Sequence, residues 1–578
     1  MSIRKRKKEH TRIPRSVQDA IPISTVYEDG LFRVGKNQYS RTYKFEDINY
    51  QVASEADKET MFERYCALLN SLDSNAATKI TINNRKLNQA DFENRIFIKE
   101  QDDNLNEYRR EYNQMLLAKA TAGNSIMQEK YITVTVTEKS ADDARQYFNR
   151  FGASLAIQLN KLGSKCTELS AIERLRIFYD FYRTGEESDF TFDLKDSRRK
   201  GHSFKDYICP DSMEIQKDHI VLGARYARVL FLKEYANFLK DDFVTELTTR
   251  CKNMMLSIDM LPLPTGKAVR EVETRLLGTE TNITNWQRKQ NANNNFSAEV
   301  PYDLEMQRQE LREFLDDLSS RDQKMMLSVL TIVITADTLE ELNQQTKSMQ
   351  ELARERVSQI AVLKFQQLDG LHTVLPAGVQ KLDIFRTLIT ESLAIQIPFR
   401  VQEIAHAKGI FYGQNVISKN MILADRTQLL NGNSFILGVS GSGKSFAAKC
   451  EITNHMLATD ADILIIDPER EYAPLVRALG GEVIEISATS QNHINAMDMT
   501  KEYGEINPII EKSQFLQSLC EQIIAGHTFT KGQQSIIDRC TESVYRYYLQ
   551  GNYQGVPPTL QDFREELLKQ PEPEAARI

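Results

Sequence analysis

The tightest constraint in this chain is the octet Gly438-Val439-Ser440-Gly441-Ser442-Gly443-Lys444-Ser445, which follows the apolar run Asn433-Ser434-Phe435-Ile436-Leu437. Its glycines let consecutive backbone N–H groups turn toward one point, and a helix starting near Lys444 adds the positive end of its dipole there. The pattern asks for a short buried strand, a loop and a helix in direct succession, which is the Walker A setting. Such a loop holds an anion without many charged side chains. Gly438, Val439, Ser440, Gly441, Ser442, Gly443, Lys444, Ser445 and the following Phe446 are the expected cradle for the phosphates of ATP. Lys444 is expected to reach the β- and γ-phosphates, and the Ser445 hydroxyl to ligate Mg²⁺. A chance glycine-rich turn would leave the flanking strand and helix signals unexplained.

Past that helix, Ile463-Leu464-Ile465-Ile466 runs into Asp467-Pro468-Glu469-Arg470-Glu471-Tyr472. An apolar strand ending in acids belongs at the carboxyl edge of a parallel sheet, where ligands bind. Asp467 invites assignment as a Walker B acid. In RecA-like motors, however, the strand after the P-loop helix often ends in a glutamate that orients the attacking water, and Glu469 stands at that place as the expected catalytic carboxylate. The competing reading makes Glu469 and Glu471 acids at the N-terminus of the next helix.

The rest of the chain sets the context. At roughly 100 to 200 residues per domain, 578 residues suggest about three or four domains. With 41% hydrophobic and 26% charged residues the composition is that of a globular protein, and a net charge of -7 excludes a uniformly basic surface. Contact with nucleic acid then needs a local patch. The seven cysteines are scattered outside any short metal or redox motif and read as reduced thiols, many of them buried. No apolar run reaches about 18 residues and the start lacks a secretory core, so the expected location is the cytoplasm. Residues 1–20 read as a basic flexible tail carrying Arg4, Lys5, Arg6, Lys7, Lys8, Arg12 and Arg15. It is either solvated or held on an anionic membrane surface at about 1 kcal/mol per charge.

Residues 21–390 read as an α+β region. Alternation predicts strands at 31–34, 39–50 and 78–82, with a helix between them opened by Ser54 and Asp57. Ile132, Val134 and Val136 alternate with threonines, then Ser140 opens a helix expected to bury Ala144, Tyr147, Phe148, Phe151, Leu155, Leu159 and Leu162 and to end at Gly163. The phrase returns at Leu330-Thr331-Ile332-Val333-Ile334 followed by Thr338 and Glu341, which suggests two related strand-helix-strand units. Between them, Gln290-Asn291-Ala292-Asn293-Asn294-Asn295 reads as an exposed loop. From about 391 to 578, alternating strands and helices predict a parallel α/β domain.

At the nucleotide motif the chain resembles the CagE, TrbE, VirB family of conjugative and type IV secretion ATPases, particularly Gram-positive members. The likeness runs through Tyr412-Gly413-Gln414-Asn415, Asp425-Arg426, Asn431-Gly432-Asn433, Asp467 to Tyr472, Gly480-Gly481, Ile494-Asn495 and Pro558-Thr559-Leu560-Gln561-Asp562. Asp206-Tyr207-Ile208-Cys209-Pro210 and Leu222-Gly223-Ala224-Arg225-Tyr226-Ala227-Arg228 extend it into the first half. The resemblance implies a docking region followed by a RecA-like P-loop NTPase domain, assembled as a hexamer. It implies ATP turnover that drives channel assembly and transfer of DNA or protein. The implied partners are other type IV secretion channel subunits and the coupling protein, at the cytoplasmic face of the membrane.

The family carries a later apolar strand ending in Asp-Glu, the true Walker B, and arginines acting across subunits. Between Tyr472 and Ile578 the sequence offers helices near 513–524 and 533–549 and one through Phe563, Leu567 and Leu568 but no such strand, so the RecA-like domain reads as incomplete. Nucleotide binding is expected on firmer ground than hydrolysis, since phosphoryl transfer needs those groups. Two further functions fit: a DNA pump of the HerA or FtsK kind, and a hydrolysis-deficient scaffold for assembly.

Overall fold

The computed structural model describes residues 14–578 apart from 87–88, 123–125, 237–238, 294, 296–298, 407–408, 430, 488, 502, 504–506 and 525–527. The basic tail, up to residue 13, lies outside the described residues. The chain forms two compact units, one up to Leu464 and one from Ile465.

Alternation of aliphatic and hydroxyl residues organises the first unit, because each strand then offers one face to helices and the other to polar neighbours. Its first half runs β1 (Thr25–Val26), β2 (Phe32–Gly35), β3 (Gln38–Phe45), α1 (Glu55–Asn70), β4 (Ala77–Lys86), α2 (Gln89–Ile96), α3 (Asn106–Ala122), β5 (Ile126–Thr137), α4 (Ala141–Leu162) and β6 (Cys166–Glu168). Helices α5 (Ala171–Tyr182), α6 (Leu194–Lys200) and α7 (Phe204–Ile208) lead onward. The second half runs β7 (Met213–Ile215), β8 (Ile220–Leu222), β9 (Arg225–Glu234), α8 (Phe243–Arg250), β10 (Met254–Pro262), α9 (Thr265–Ala292), α10 (Tyr302–Ser320), β11 (Met325–Ala336), α11 (Leu339–Glu355) and β12 (Gln359–Val362).

These strands share one sheet in the order β1-β2-β3-β5-β4-β10-β11-β9-β8-β7, with β6 on β3 and β12 on β9. The orders β6-β3-β5-β4 and β12-β9-β11-β10 are the same plan twice, the split β-α-β arrangement of ferredoxin-like folds. Antiparallel pairing of β4 with β10 joins them, with Ile80 opposite Ile258 and Thr81 opposite Ser257. Each half inserts a pair of helices at the same point, α2 and α3 in one, α9 and α10 in the other. The matching phrases sit at matching places: Ser140 caps α4 through the amide of Asp143, and Thr338 caps α11 through that of Glu341. Gly163, at φ 84°, ends α4. The loop expected over 290–295 is corrected in part. Residues up to Ala292 form the last turn of α9, whose continuous backbone ladder outweighs the turn preference of their side chains, and residue 294 lies outside the described residues.

One face of the sheet is aliphatic. Ile80, Ile132, Val134, Leu256, Ile258, Leu330 and Ile332 pack there with Leu69 of α1, Phe148 of α4, Phe243 of α8 and Met349 of α11, all within 2% of full burial. The opposite face carries a buried polar layer that an irregular strap after α12 (Gln367–Val374) satisfies with its carbonyls. Ser40 donates to Ala377 O (2.6 Å), Thr135 to Gly378 O (2.7 Å) and Lys79 to Val379 O (3.0 Å). Lys79 also lies 3.4 Å from Asp259, its neighbour across the β4–β10 ladder. Gly378, at φ 87°, is required where it is, since a Cβ would overlap Thr135 and Ser40.

Beyond the strap, β13 (Arg386–Ile389) joins β11 and leads into α13 (Thr390–Ala394). The hairpin β14 (Ile410–Gln414) and β15 (Met421–Ala424) and helix α14 (Lys444–Ala458) complete the first unit. The second unit holds α15 (Ala473–Ala478), α16 (Pro508–Ile523), α17 (Lys531–Gln550) and α18 (Leu560–Leu568). Leu516, Ile537, Tyr545 and Phe563 form its core with Met497 and Met499. The parallel sheet expected after residue 391 is not among the described elements. The ladder found there is the antiparallel β14–β15 pair. The strands expected at 433–437 and 463–467 join no described ladder, with Phe435 91%, Leu464 90% and Ile466 89% exposed. A central strand needs a neighbour on each side, and no described strand supplies one. No described helix is long and apolar enough to cross a membrane.

Candidate nucleotide-binding site

The loop 438–443 is shaped by its glycines. Gly441 and Gly443 take φ of 79° and 91°, a region that penalises any side chain, and Gly443 is the left-handed residue from which α14 starts. Gly438 lies so close to Ser442 that a Cβ would stand 2.5 Å from its hydroxyl oxygen. The amide of Ser442 donates to Val439 O (3.2 Å) and closes the turn. No side chain caps α14, so its first amides face outward with the helix dipole behind them. Lys444 folds its ammonium across the loop onto Gly438 O (3.0 Å) and Val439 O (3.1 Å). Lys444 and Ser445 are half-buried on the first turn, while Phe446 projects into solvent. The arrangement combines free amides, a helix N-terminus, an ammonium and a hydroxyl at one place, and a polyphosphate with its cation fits that donor set.

Contacts from far along the chain hold this helix. Arg109 of α3, fully buried, donates to Leu457 O at the C-terminal end of α14 (3.1 Å), and its other nitrogens engage Asp103, Asn106 and Gln101. A cation at a helix C-terminus also opposes the dipole favourably. Midway along α14, Glu451 accepts from Tyr412 Oη of β14 (2.8 Å) and pairs with Arg426. Burial and then that carboxylate push the Tyr412 hydroxyl up to about 12. Asn454 donates to Phe411 O (3.1 Å). Asn415 shapes the hairpin turn by accepting from the amides of Ile417 and Ser418. Tyr412 and Arg426, which the sequence offers only as parts of a family phrase, seat the hairpin on the P-loop helix. Arg109 and Glu451 carried no local signal, for each acts on residues that only the fold brings near.

The acidic segment belongs to the second unit. Asp467 accepts from the amides of Glu469 (3.2 Å) and Tyr472 (2.9 Å), so it is Asp467, rather than Glu469 or Glu471, that caps the turn into α15. Arg470, at φ 62°, pairs with Glu485 (3.0 Å). Glu469 itself is exposed. Further on, Asn495 donates to Pro558 O (2.9 Å), tying together two of the phrases that carried the resemblance.

Residues 423–572 match the family model described as Helicase HerA, central domain. This is a P-loop ATPase family, and the matched span takes in the loop, α14, the acidic segment and α15 to α18. The chain is also 20% identical over 363 residues to an uncharacterized protein of Bacillus anthracis, pXO2-09. That alignment covers 58% of this chain and 53% of the relative, so the chain spans about half the length of the curated relative it matches.

Proposed function

We propose that this chain is the ATP-binding motor subunit of a conjugative type IV secretion system of the CagE, TrbE, VirB kind, coupling ATP hydrolysis to DNA or protein transfer. The observation that carries the reading is the uncapped start of α14 after a loop held in left-handed backbone at Gly441 and Gly443, with the Lys444 ammonium folded across it. In this reading the loop amides other than that of Ser442, the first amides of α14 and the Lys444 ammonium bind the phosphates, and the Ser445 hydroxyl holds Mg²⁺, which supplies charge neutralisation when bound. Glu469 orients the attacking water. The sheet body docks on other channel subunits and the coupling protein, and the subunits act as a hexamer at the cytoplasmic face of the membrane.

A second reading, a DNA pump of the HerA or FtsK type, is favoured by the family matched over residues 423–572. Measuring ATP turnover by the full chain, with and without duplex DNA, separates the two. Turnover abolished in Lys444→Ala and indifferent to DNA supports the secretion motor. Turnover raised by duplex DNA, with a steep salt dependence, supports the pump. Turnover equal in wild type and Lys444→Ala removes both.

A further inference from the structure

We infer that β12, at the margin of the sheet, is a docking strip for an extended, acidic segment of a partner protein. Among the described residues β12 ladders with β9 alone. Against it lies a shallow groove of about 350 Å³ lined by Gln350 and Arg354 of α11, residues 359–362 and Lys364. The carboxamide of Gln350 reaches the carbonyl of Ile360 at 3.3 Å. Two bulky residues in left-handed backbone bracket the strand, Val357 at φ 53° and Phe365 at φ 64°, and they are 82% and 77% exposed. That conformation is costly for a β-branched residue and persists only where the surroundings impose it. Here it presents an apolar side chain at each end of an incompletely paired strand. Phe365 is held in place by its amide on Lys217 O (2.7 Å) and by the Lys217 ammonium 5.2 Å from its ring.

Charge selects the occupant. Arg354 and Lys364 make no ion pair among the described residues, whereas the neighbouring acids Glu351 and Glu355 already face Lys347 (3.8 Å) and Arg250 (3.9 Å). The strip is therefore cationic on a chain whose net charge is -7. A second copy would set Arg354 and Lys364 against like charges, and the irregularity between Gln359 and Ile360 further disfavours regular self-pairing. An extended segment alternating acidic and apolar residues instead adds main-chain hydrogen bonds to β12, places carboxylates on Arg354 and Lys364, and rests apolar groups on Val357 and Phe365. The corresponding strand of the first half, β6, differs: its Glu168 is tied to Arg41 at 2.9 Å. The inference is independent of the nucleotide site.

The test uses the full chain and a fluorescent synthetic peptide of alternating Glu and Val, with a Lys-Val peptide as control. The expected result is saturable binding of the Glu-Val peptide alone, slowed hydrogen exchange at amides 359–362, and roughly tenfold weaker binding in the double variant Arg354→Glu, Lys364→Glu. Phe365→Ser, a surface change, weakens binding as well. The proposal is overturned if the Glu-Val peptide fails to bind at millimolar concentration, if both peptides bind alike, if the charge reversals change nothing, or if 359–362 gain no protection. A dimer in sedimentation that Ala361→Pro dissolves assigns the strip to a second copy and equally overturns it.

Discussion

Two phenylalanines mark the difference between the sheet body and the segment that feeds the nucleotide loop. Phe148 of α4 is wholly buried against the aliphatic face of the sheet, whereas Phe435, three residues before Gly438, is 91% exposed. In the body, strands paired over long registers exclude water from one face, and a strap satisfies the polar groups of the other. Around the loop there is no such ladder, yet the loop is formed. Its shape comes from glycine backbone angles and from the start of a helix, which are local causes, and α14 is secured from behind by Arg109 and, through its own Glu451 and Asn454, by the β14–β15 hairpin. Stability and binding are thus built from different parts of the molecule.

The sharpest way to break that comparison is to truncate each phenylalanine. Phe148→Ala is expected to lower the stability of the first unit by about 3–5 kcal/mol in urea unfolding, the cost of a large cavity in a packed core. A loss below about 1 kcal/mol would mean that the helix layer does not hold the sheet. Next in size is an acid test of the polar side. Burial raises the Glu129 carboxyl, but Lys44 and Arg85 more than offset this and hold it at about 2, below its ordinary 4.5. A depressed carboxyl contributes stability above pH 4.5 that is lost as pH falls toward 2. Wild type should therefore lose on the order of 3 kcal/mol more than Glu129→Gln over that window, read as the pH dependence of urea midpoints. Parallel pH profiles for the two would remove the ion cluster from the account of stability.

Smaller effects are expected at the loop. Gly443→Ala forces a side chain into φ 91° and should cost about 1 kcal/mol, seen as faster hydrogen exchange in the first turn of α14 with the sheet unchanged. Smallest of all, Phe435→Ala should shift the unfolding midpoint by no more than about 0.5 kcal/mol. A loss comparable to that of Phe148→Ala would show that residues 433–437 are packed in solution.

What could be read in advance follows the same divide. Ser54, Ser140, Gly163 and Thr338 announced their helix ends because a cap is a contact within three or four residues. The alternations Ile80-Thr81-Ile82 and Ile132-Thr133-Val134-Thr135-Val136 point to strands because alternation is local too. The pairing of β4 with β10, the strap over Ser40 and Thr135, and Arg109 on Leu457 join positions 170 to 348 residues apart, and no local pattern encodes them. At the site, the helix start at Lys444 was legible in the motif. The buried strand before the motif was not, since apolar residues state a preference for burial but not whether anything covers them. Nor does the sequence say that Asp467 is the carboxylate the backbone of its own segment engages.

Everything functional rests on outward amides and one ammonium holding a polyphosphate. Calorimetric titration of the folded full chain with ATP and Mg²⁺, beside Lys444→Ala, probes that most directly. The expected result is saturable heat for wild type and an affinity about a hundredfold weaker for the variant, the loss of a charge-assisted contact of roughly 2–3 kcal/mol. No heat at millimolar ATP, or the same affinity in both proteins, would contradict it.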